Sequence, residues 1–188
     1  RIIGKEKVDE ERQVAARNIG VHMARVLITG GNRGIGLALV RAHLARGDAV
    51  VATCRQPGAE LVASGATVVD GIELSDPAGI ARLLAALGEV PLERVMLNAG
   101  ILEHEDLDAL AGRSGPASIR RQFEVNALAP LQLIASLRPH LARGARIGVV
   151  SSRMGSIADN GSGGYYGYRM SKAALNAGAR SLAIDLAP

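Results

Sequence analysis

At 188 residues with 48% hydrophobic side chains, the chain has the length and apolar content for one domain with a sizeable core. Aromatic residues make up only 2% (Phe123, Tyr165, Tyr166 and Tyr168, with no Trp), which argues against single-stranded nucleic-acid binding, a chemistry that rests on aromatic stacking platforms. The formal charge of +4 is spread along the chain, Cys54 is the only cysteine, and His22, His43, His104 and His140 lack ligand-like spacing, so neither a disulfide nor a metal site is expected.

Residues 1–22 read apart from the rest. Arg1–Arg17 is dense in mixed charge, and Met23 stands where an initiating Met would stand just before a first strand. We read 1–22 as leader, upstream or junction sequence, with an added helix over Lys5–Arg17 as the alternative, and 23–188 as the functional domain. No apolar run reaches membrane-spanning length and no signal peptide is visible, so a cytoplasmic location is expected by default, with no membrane partner.

From Arg25 the rhythm is regular. A first strand over 25–29 leads to a helix over 35–46, with Leu37, Val40 and Leu44 on one face and Gly47 as its stop. The second strand is Ala49–Thr53, followed by a short helix near 58–63, a third strand at Thr67–Val69 and a helix from Pro77 to about Leu87 behind the cap residues Ser75 and Asp76. A fourth strand covers about Arg94–Leu97. The stretch Pro116–Leu141 reads as one long helix bent at Pro130, Ile147–Val150 as the fifth strand, and Tyr165–Leu186 as the last helix. Apolar strands alternating with helices predict an α/β, doubly wound parallel sheet of the Rossmann kind, in the order 3-2-1-4-5.

Between the first strand and its helix lies Thr29-Gly30-Gly31-Asn32-Arg33-Gly34-Ile35-Gly36. A helix start presents unpaired N–H groups and partial positive charge, so an anion sits there favourably. Gly30 permits the tight exit from the strand, Gly34 lets the backbone approach a pyrophosphate, and Gly36 allows close packing of the helix. Leu37 and Ala38 follow, where a Walker-type loop needs Lys and Ser or Thr. The second strand ends Thr53-Cys54-Arg55, a cation where NAD sites carry a carboxylate for the ribose. With Arg33 on the other side, two guanidinium groups suit the 2′-phosphate of NADP(H).

Of the three tyrosines, only Tyr168 has a lysine one helical turn later, Lys172, so phenol and ammonium share a face and the cation favours the phenolate. Ser152, at the end of the fifth strand, faces the crevice and could hydrogen-bond a carbonyl oxygen, with Ser151 as the alternative. Asn126 lies mid-helix, where Asn is a poor helix former; it is either a buried kink residue or a water-holding member of a proton relay.

Thr29-Gly30-x-x-x-Gly34-x-Gly36, Asn98-Ala99-Gly100, Asn126, Ser152 and Tyr168-x-x-x-Lys172 together resemble the short-chain dehydrogenase/reductase family. The wording around Ser152 and Tyr168 is similar to its C-factor and carbonyl-reductase-like branch. The resemblance covers about 23–188 and implies hydride transfer between a nicotinamide and a carbonyl or alcohol substrate. Tyr168 would then move the oxygen's proton, Ser152 would orient that oxygen, Lys172 would support Tyr168 and bind the nicotinamide ribose, and Asn126 would hold the relay water. Gly30, Asn32, Arg33, Gly34, Ile35, Gly36 and Arg55 would line the phosphates. Asn98, Ala99 and Gly100 would line the adenosine side, with Glu73 where the family's Asp commonly meets the adenine. It also fits a homodimer or homotetramer formed through 116–141 and the last helix, while monomer, dimer and tetramer all stay open.

Three features depart from the family pattern. Ser152 and Tyr168 stand further apart than usual, Glu73 replaces Asp, and the sequence ends at Pro188, before the family's further strands and substrate-binding segment. The chain is therefore read as a C-terminally incomplete domain. The alternatives to an enzyme are a non-catalytic NADP(H)-binding regulator or signalling protein on the same fold, or an inactive truncated fragment.

Overall fold

The computed structural model describes residues 23–187, so the expectations for 1–22 lie outside the described residues. Five strands, β1 (Arg25–Thr29), β2 (Ala49–Thr53), β3 (Thr67–Val69), β4 (Leu92–Leu97) and β5 (Leu141–Val149), form one sheet in the order β3-β2-β1-β4-β5. Every pairing is parallel. The helices are α1 (Gly34–Ala45), α2 (Ala59–Val62), α3 (Pro77–Leu87), α4 (Leu107–Ala111), α5 (Ser114–Phe123), α6 (Ala129–Leu137) and α7 (Tyr166–Asp185).

The period-two geometry of a strand explains the two layers. Along β1, Val26 and Ile28 enter a cluster with Leu37 and Val40 of α1 and Leu61 of α2. Leu27 points the other way, into a cluster with Leu83 and Leu87 of α3 and Leu133, Ile134 and Leu137 of α6. Both faces are therefore apolar, which is why β1 and β2 read as unbroken hydrophobic runs. Asp76 caps α3, its carboxylate accepting the Ala78 N–H at 2.9 Å, with Pro77 at the first helical position. Gly47, at φ +81°, ends α1 as expected.

Between 114 and 141 the chain differs from one long helix bent at Pro130. It divides into α5, a π-type turn over Glu124–Leu128, α6, and a 3₁₀ turn over Arg138–His140. The break precedes Pro130, which sits comfortably in the first turn of α6. Pro130 has no N–H for the carbonyl four residues back, and the chain widens there, with the Ala129 N–H donating to the Glu124 carbonyl. The short helix α4 and the first part of β5 were also unforeseen. β5 starts at Leu141, six residues before the expected start at Ile147, and pairs with β4 through an irregular register between Leu92 and Arg94.

At the edge where the strands begin, Asp48 is 5% exposed. It accepts the Ala24 N–H at 3.1 Å and Arg94 Nη1 at 2.9 Å, and meets His43 Nδ1 at 2.6 Å. Burial alone would raise this carboxyl, but the His43 and Ala24 hydrogen bonds and the Arg94 charge hold it below the usual carboxylate range. A depressed carboxylate stabilises the fold above its unfolded value and loses that contribution as pH falls through the folded value. Asp48→Asn should cost about 1–3 kcal/mol at neutral pH. In urea titrations the gap from wild type should narrow as pH drops below about 4.

Candidate functional site

The carboxyl ends of β1 and β4 are tied together. Thr29 Oγ1 accepts the N–H groups of Asn98 (3.0 Å) and Ala99 (3.1 Å). Asn98 Nδ2 donates back to the carbonyls of Thr29 (3.0 Å) and Gly30 (3.1 Å). Gly30 leaves the strand at φ +68°, a conformation costly for other residues. A Cβ on Gly36 would fall 2.1 Å from the Gly30 carbonyl oxygen and 2.6 Å from Asn98 Nδ2. The close approach expected at Gly36 is thus made against the turn itself and its Asn98 clamp. Gly34, at φ +54°, has nothing within 4 Å of its would-be Cβ, so the start of α1 is open.

A cavity of about 930 Å³ begins at that opening. The glycine-turn residues Gly30, Asn32, Arg33, Gly34, Ile35 and Gly36 line it, as do Arg55, Glu73, Asn98, Ala99 and Gly100. The Asn32 side chain is already engaged, Oδ1 accepting the Gly58 N–H. Arg55 Nη1 stands 3.8 Å from Glu73 Oε2 with both groups well exposed, a contact of little energetic weight. Arg33 is exposed at the cavity wall. Thr53, Cys54, Gln56, Ile72, Leu74, Ile101, Arg121 and Val125 also line this wall, beyond the residues expected there. Cys54 and Gln56 flank Arg55 and could have been inferred from it; Arg121, paired with Glu103 at 3.0 Å, carried no signal in the chain.

Asn126, Ser152, Tyr168 and Lys172 are not among the residues that line this cavity; Asn126 and Lys172 approach it behind Gly100. Lys172 is 4% exposed; its Nζ donates to the Val150 carbonyl at 3.0 Å and lies 5.8 Å from the centroid of the Tyr168 ring. Burial pushes the Lys172 ammonium below the ordinary lysine range. Asn126, wholly buried in the π-type turn, accepts the Ile101 N–H (2.8 Å) and donates to the Ile101 carbonyl (2.8 Å) and Ser171 Oγ (3.1 Å). Its side chain thus pins the segment after β4 to α7. Ser152 Oγ accepts the Met154 N–H at 3.1 Å, opening the 3₁₀ turn Arg153–Gly155. Gly155 brings that turn onto α7, where its would-be Cβ lies 2.9 Å from the Lys172 carbonyl carbon. The Ser151 hydroxyl is committed elsewhere, donating to Asn176 Oδ1 at 2.6 Å.

Gly100 joins the two halves. It lines the cavity, and its would-be Cβ would stand 3.1 Å from Asn126 Oδ1 and 3.6 Å from Lys172 Nζ. A ligand running along the cavity from Gly34 reaches Gly100 beside a buried ammonium. The open start of α1 suits a phosphate group, and a cavity of about 930 Å³ has the size of a small-molecule or cofactor site.

Comparison with known proteins points the same way. The family profile described as short chain dehydrogenase matches residues 24–188. The 1-hydroxy-2-glutathionyl-2-methyl-3-butene dehydrogenase of Rhodococcus sp. (strain AD45) is 41% identical over 156 residues, 82% of this chain and 67% of that protein. The C-signal of Myxococcus xanthus is 44% identical over 100 residues, 52% of this chain and 58% of its own length. A crystal structure of a carbonyl reductase from Pseudomonas aeruginosa PAO1 in complex with NADP superposes with a TM-score of 0.76 at 34% identity, covering 87% of this chain and 77% of that one. Among the described residues no helix is long and apolar enough to cross a membrane.

The contrast between the two glycines gives a test of the clamp. Gly36→Ala should destabilise the chain by about 1–3 kcal/mol through overpacking. Gly34→Ala should cost nearer 1 kcal/mol, from its backbone conformation alone. Urea midpoints of the two variants measure the difference.

Proposed function

The chain belongs to the short-chain dehydrogenase family, and we propose that it is an NADP(H)-dependent oxidoreductase that interconverts a carbonyl and an alcohol. The observation that carries this reading is the meeting at Gly100 of the open glycine-turn cleft with Lys172 and Asn126. NADP(H), when bound, supplies or accepts the hydride. The chain's own residues do the rest. The N–H groups at the start of α1 receive the diphosphate, and Arg33 and Arg55 receive the 2′-phosphate.

Tyr168 gives its proton to the substrate oxygen in reduction and takes it back in oxidation. The Lys172 ammonium, held by the Val150 carbonyl, stabilises the phenolate left behind. Ser152, oriented by the Met154 N–H on its oxygen, keeps its own proton to donate to the substrate oxygen. Asn126 serves through its grip on Ile101 and Ser171, fixing the wall of the cleft against α7, and its backbone carbonyl, to which Pro130 four residues on has no N–H to give, is the acceptor offered to a relay water. Glu73 and Asn98-Ala99-Gly100 line the adenosine side, and the active assembly is a homodimer or homotetramer.

The Rhodococcus relative's name makes 1-hydroxy-2-glutathionyl-2-methyl-3-butene the first alcohol to assay. The likeness to the C-signal of Myxococcus xanthus favours a second reading, a signalling protein that binds NADP(H) without turnover. Tyr168→Phe separates the two. Under the enzyme reading it lowers kcat by about 10²- to 10⁴-fold while NADPH still binds; full activity in this variant would overturn the assignment. Arg33→Ala and Arg55→Ala should each raise the NADPH Kd about tenfold and leave the NADH Kd near wild type, as fluorescence titration would measure.

A further inference from the structure

The helix that carries Tyr168 and Lys172 begins without any local device to start it. Its N-cap residue is Tyr165, in the left-handed region at φ +52° and ψ +39°, and no side chain of the cap hydrogen-bonds the first turn. A tyrosine held there is strained, so something outside the helix must fix the position. That something is Glu105, in the segment after β4.

Glu105 is 1% exposed. Its Oε2 accepts the Gly167 N–H at 3.0 Å, the second amide of α7 and the donor that an N-cap side chain normally satisfies. Its backbone carbonyl accepts the Tyr165 N–H at 3.0 Å. Its Oε1 accepts the Ser118 hydroxyl and Gln122 Nε2, both from α5. Gln122, itself fully buried, returns to the same segment by accepting the Glu103 N–H at 3.0 Å. Among the described residues no cation pairs with Glu105; its charge faces hydrogen-bond donors and the positive end of a 20-residue helix. Gly167 is shaped to this contact, since its would-be Cβ would lie 2.5 Å from Gln122 Nε2 and 3.0 Å from Glu105 Oε1.

We infer that Glu105 is a positioning residue for the proton-transfer step: a buried carboxylate that caps α7 from outside and thereby sets where Tyr168, the very next residue after Gly167, stands beside Lys172. The inference rests on the acid–base reading of Tyr168 given above. The donors around Glu105 need a carboxylate. An amide at position 105 must turn its NH₂ either toward the Gly167 N–H or toward Gln122 Nε2, donor against donor. Moving the charge across the contact repairs this. In the double variant Glu105→Gln, Gln122→Glu, the new amide accepts from Gly167 and donates to the new carboxylate, which also takes the Ser118 hydroxyl and the Glu103 N–H.

The test uses the full chain and two kinds of readout. In the wild type, the Gly167 amide, read by NMR hydrogen exchange, should be protected although it lies in the first turn of α7, where amides ordinarily lack partners. Exchange at the rate of an unprotected amide would overturn the proposal without any variant. Glu105→Gln should lower kcat about 10- to 100-fold, the effect of a displacement near 1 Å, with the NADPH Kd unchanged and exchange at 165–170 accelerated. The double variant should recover most of the kcat and of the protection, which a merely disrupted fold would not. Wild-type turnover in Glu105→Gln beside an inactive Tyr168→Phe would overturn the positioning role alone. Full turnover in Tyr168→Phe would overturn the acid–base reading and this role with it.

Discussion

The glycine turn keeps its shape because Asn98 and Thr29 hold each other across the gap between β1 and β4. The four hydrogen bonds of that clamp satisfy two carbonyls and two N–H groups just where two parallel strands run out of partners. They also leave no room for a side chain at Gly36, so the first turn of α1 is drawn against Gly30. The open backbone of Gly34 and the cavity that starts there follow from this constraint. The topology supplies the location, since order reverses between β2-β1 and β4-β5, the position at which doubly wound sheets bind ligands.

The second half of the site is built by a different means. β4 ends at the clamp, and the segment after it is then gripped three times: by Asn126 at Ile101, by Gln122 at Glu103, and by α7 at Glu105. Each grip comes from a buried polar side chain with its hydrogen bonds satisfied, and such networks rigidify only when complete. The segment therefore transmits the position of the sheet to α7 and to the buried Lys172. The π-type turn that carries Asn126 belongs to the same construction, because widening the helix there sets the amide between Ile101 and Ser171.

Much of this was legible in the chain. The strands β2 and β3 and the helix from Pro77 to Leu87 fall where apolar runs, a capping Asp and an N-terminal Pro put them. The residues singled out from Gly30 to Gly100 line one cavity, whereas Tyr168 and Lys172, read with them as cofactor-binding, are not part of its lining. What stayed hidden depends on distant partners. The stretch from Ala142 to Arg146 looks like a loop, with Arg143, Gly144 and Arg146 interrupting any alternation, and becomes strand only because β4 lies beside it. The π-type turn was masked by Pro130, which drew attention to the wrong residue. Glu105 is one charge among several in the sequence Glu103–Asp108, and its partner Gly167 lies 62 residues away.

A crystal structure of the chain with NADP⁺ tests the central claim most directly, because it reads both halves of the cleft at once. The account predicts a diphosphate on the amides of Gly34, Ile35 and Gly36, a 2′-phosphate between Arg33 and Arg55, and the nicotinamide ribose at Lys172 past Gly100. A nucleotide bound in the reverse sense, or one whose nicotinamide lies away from Tyr168 and Lys172, would contradict it.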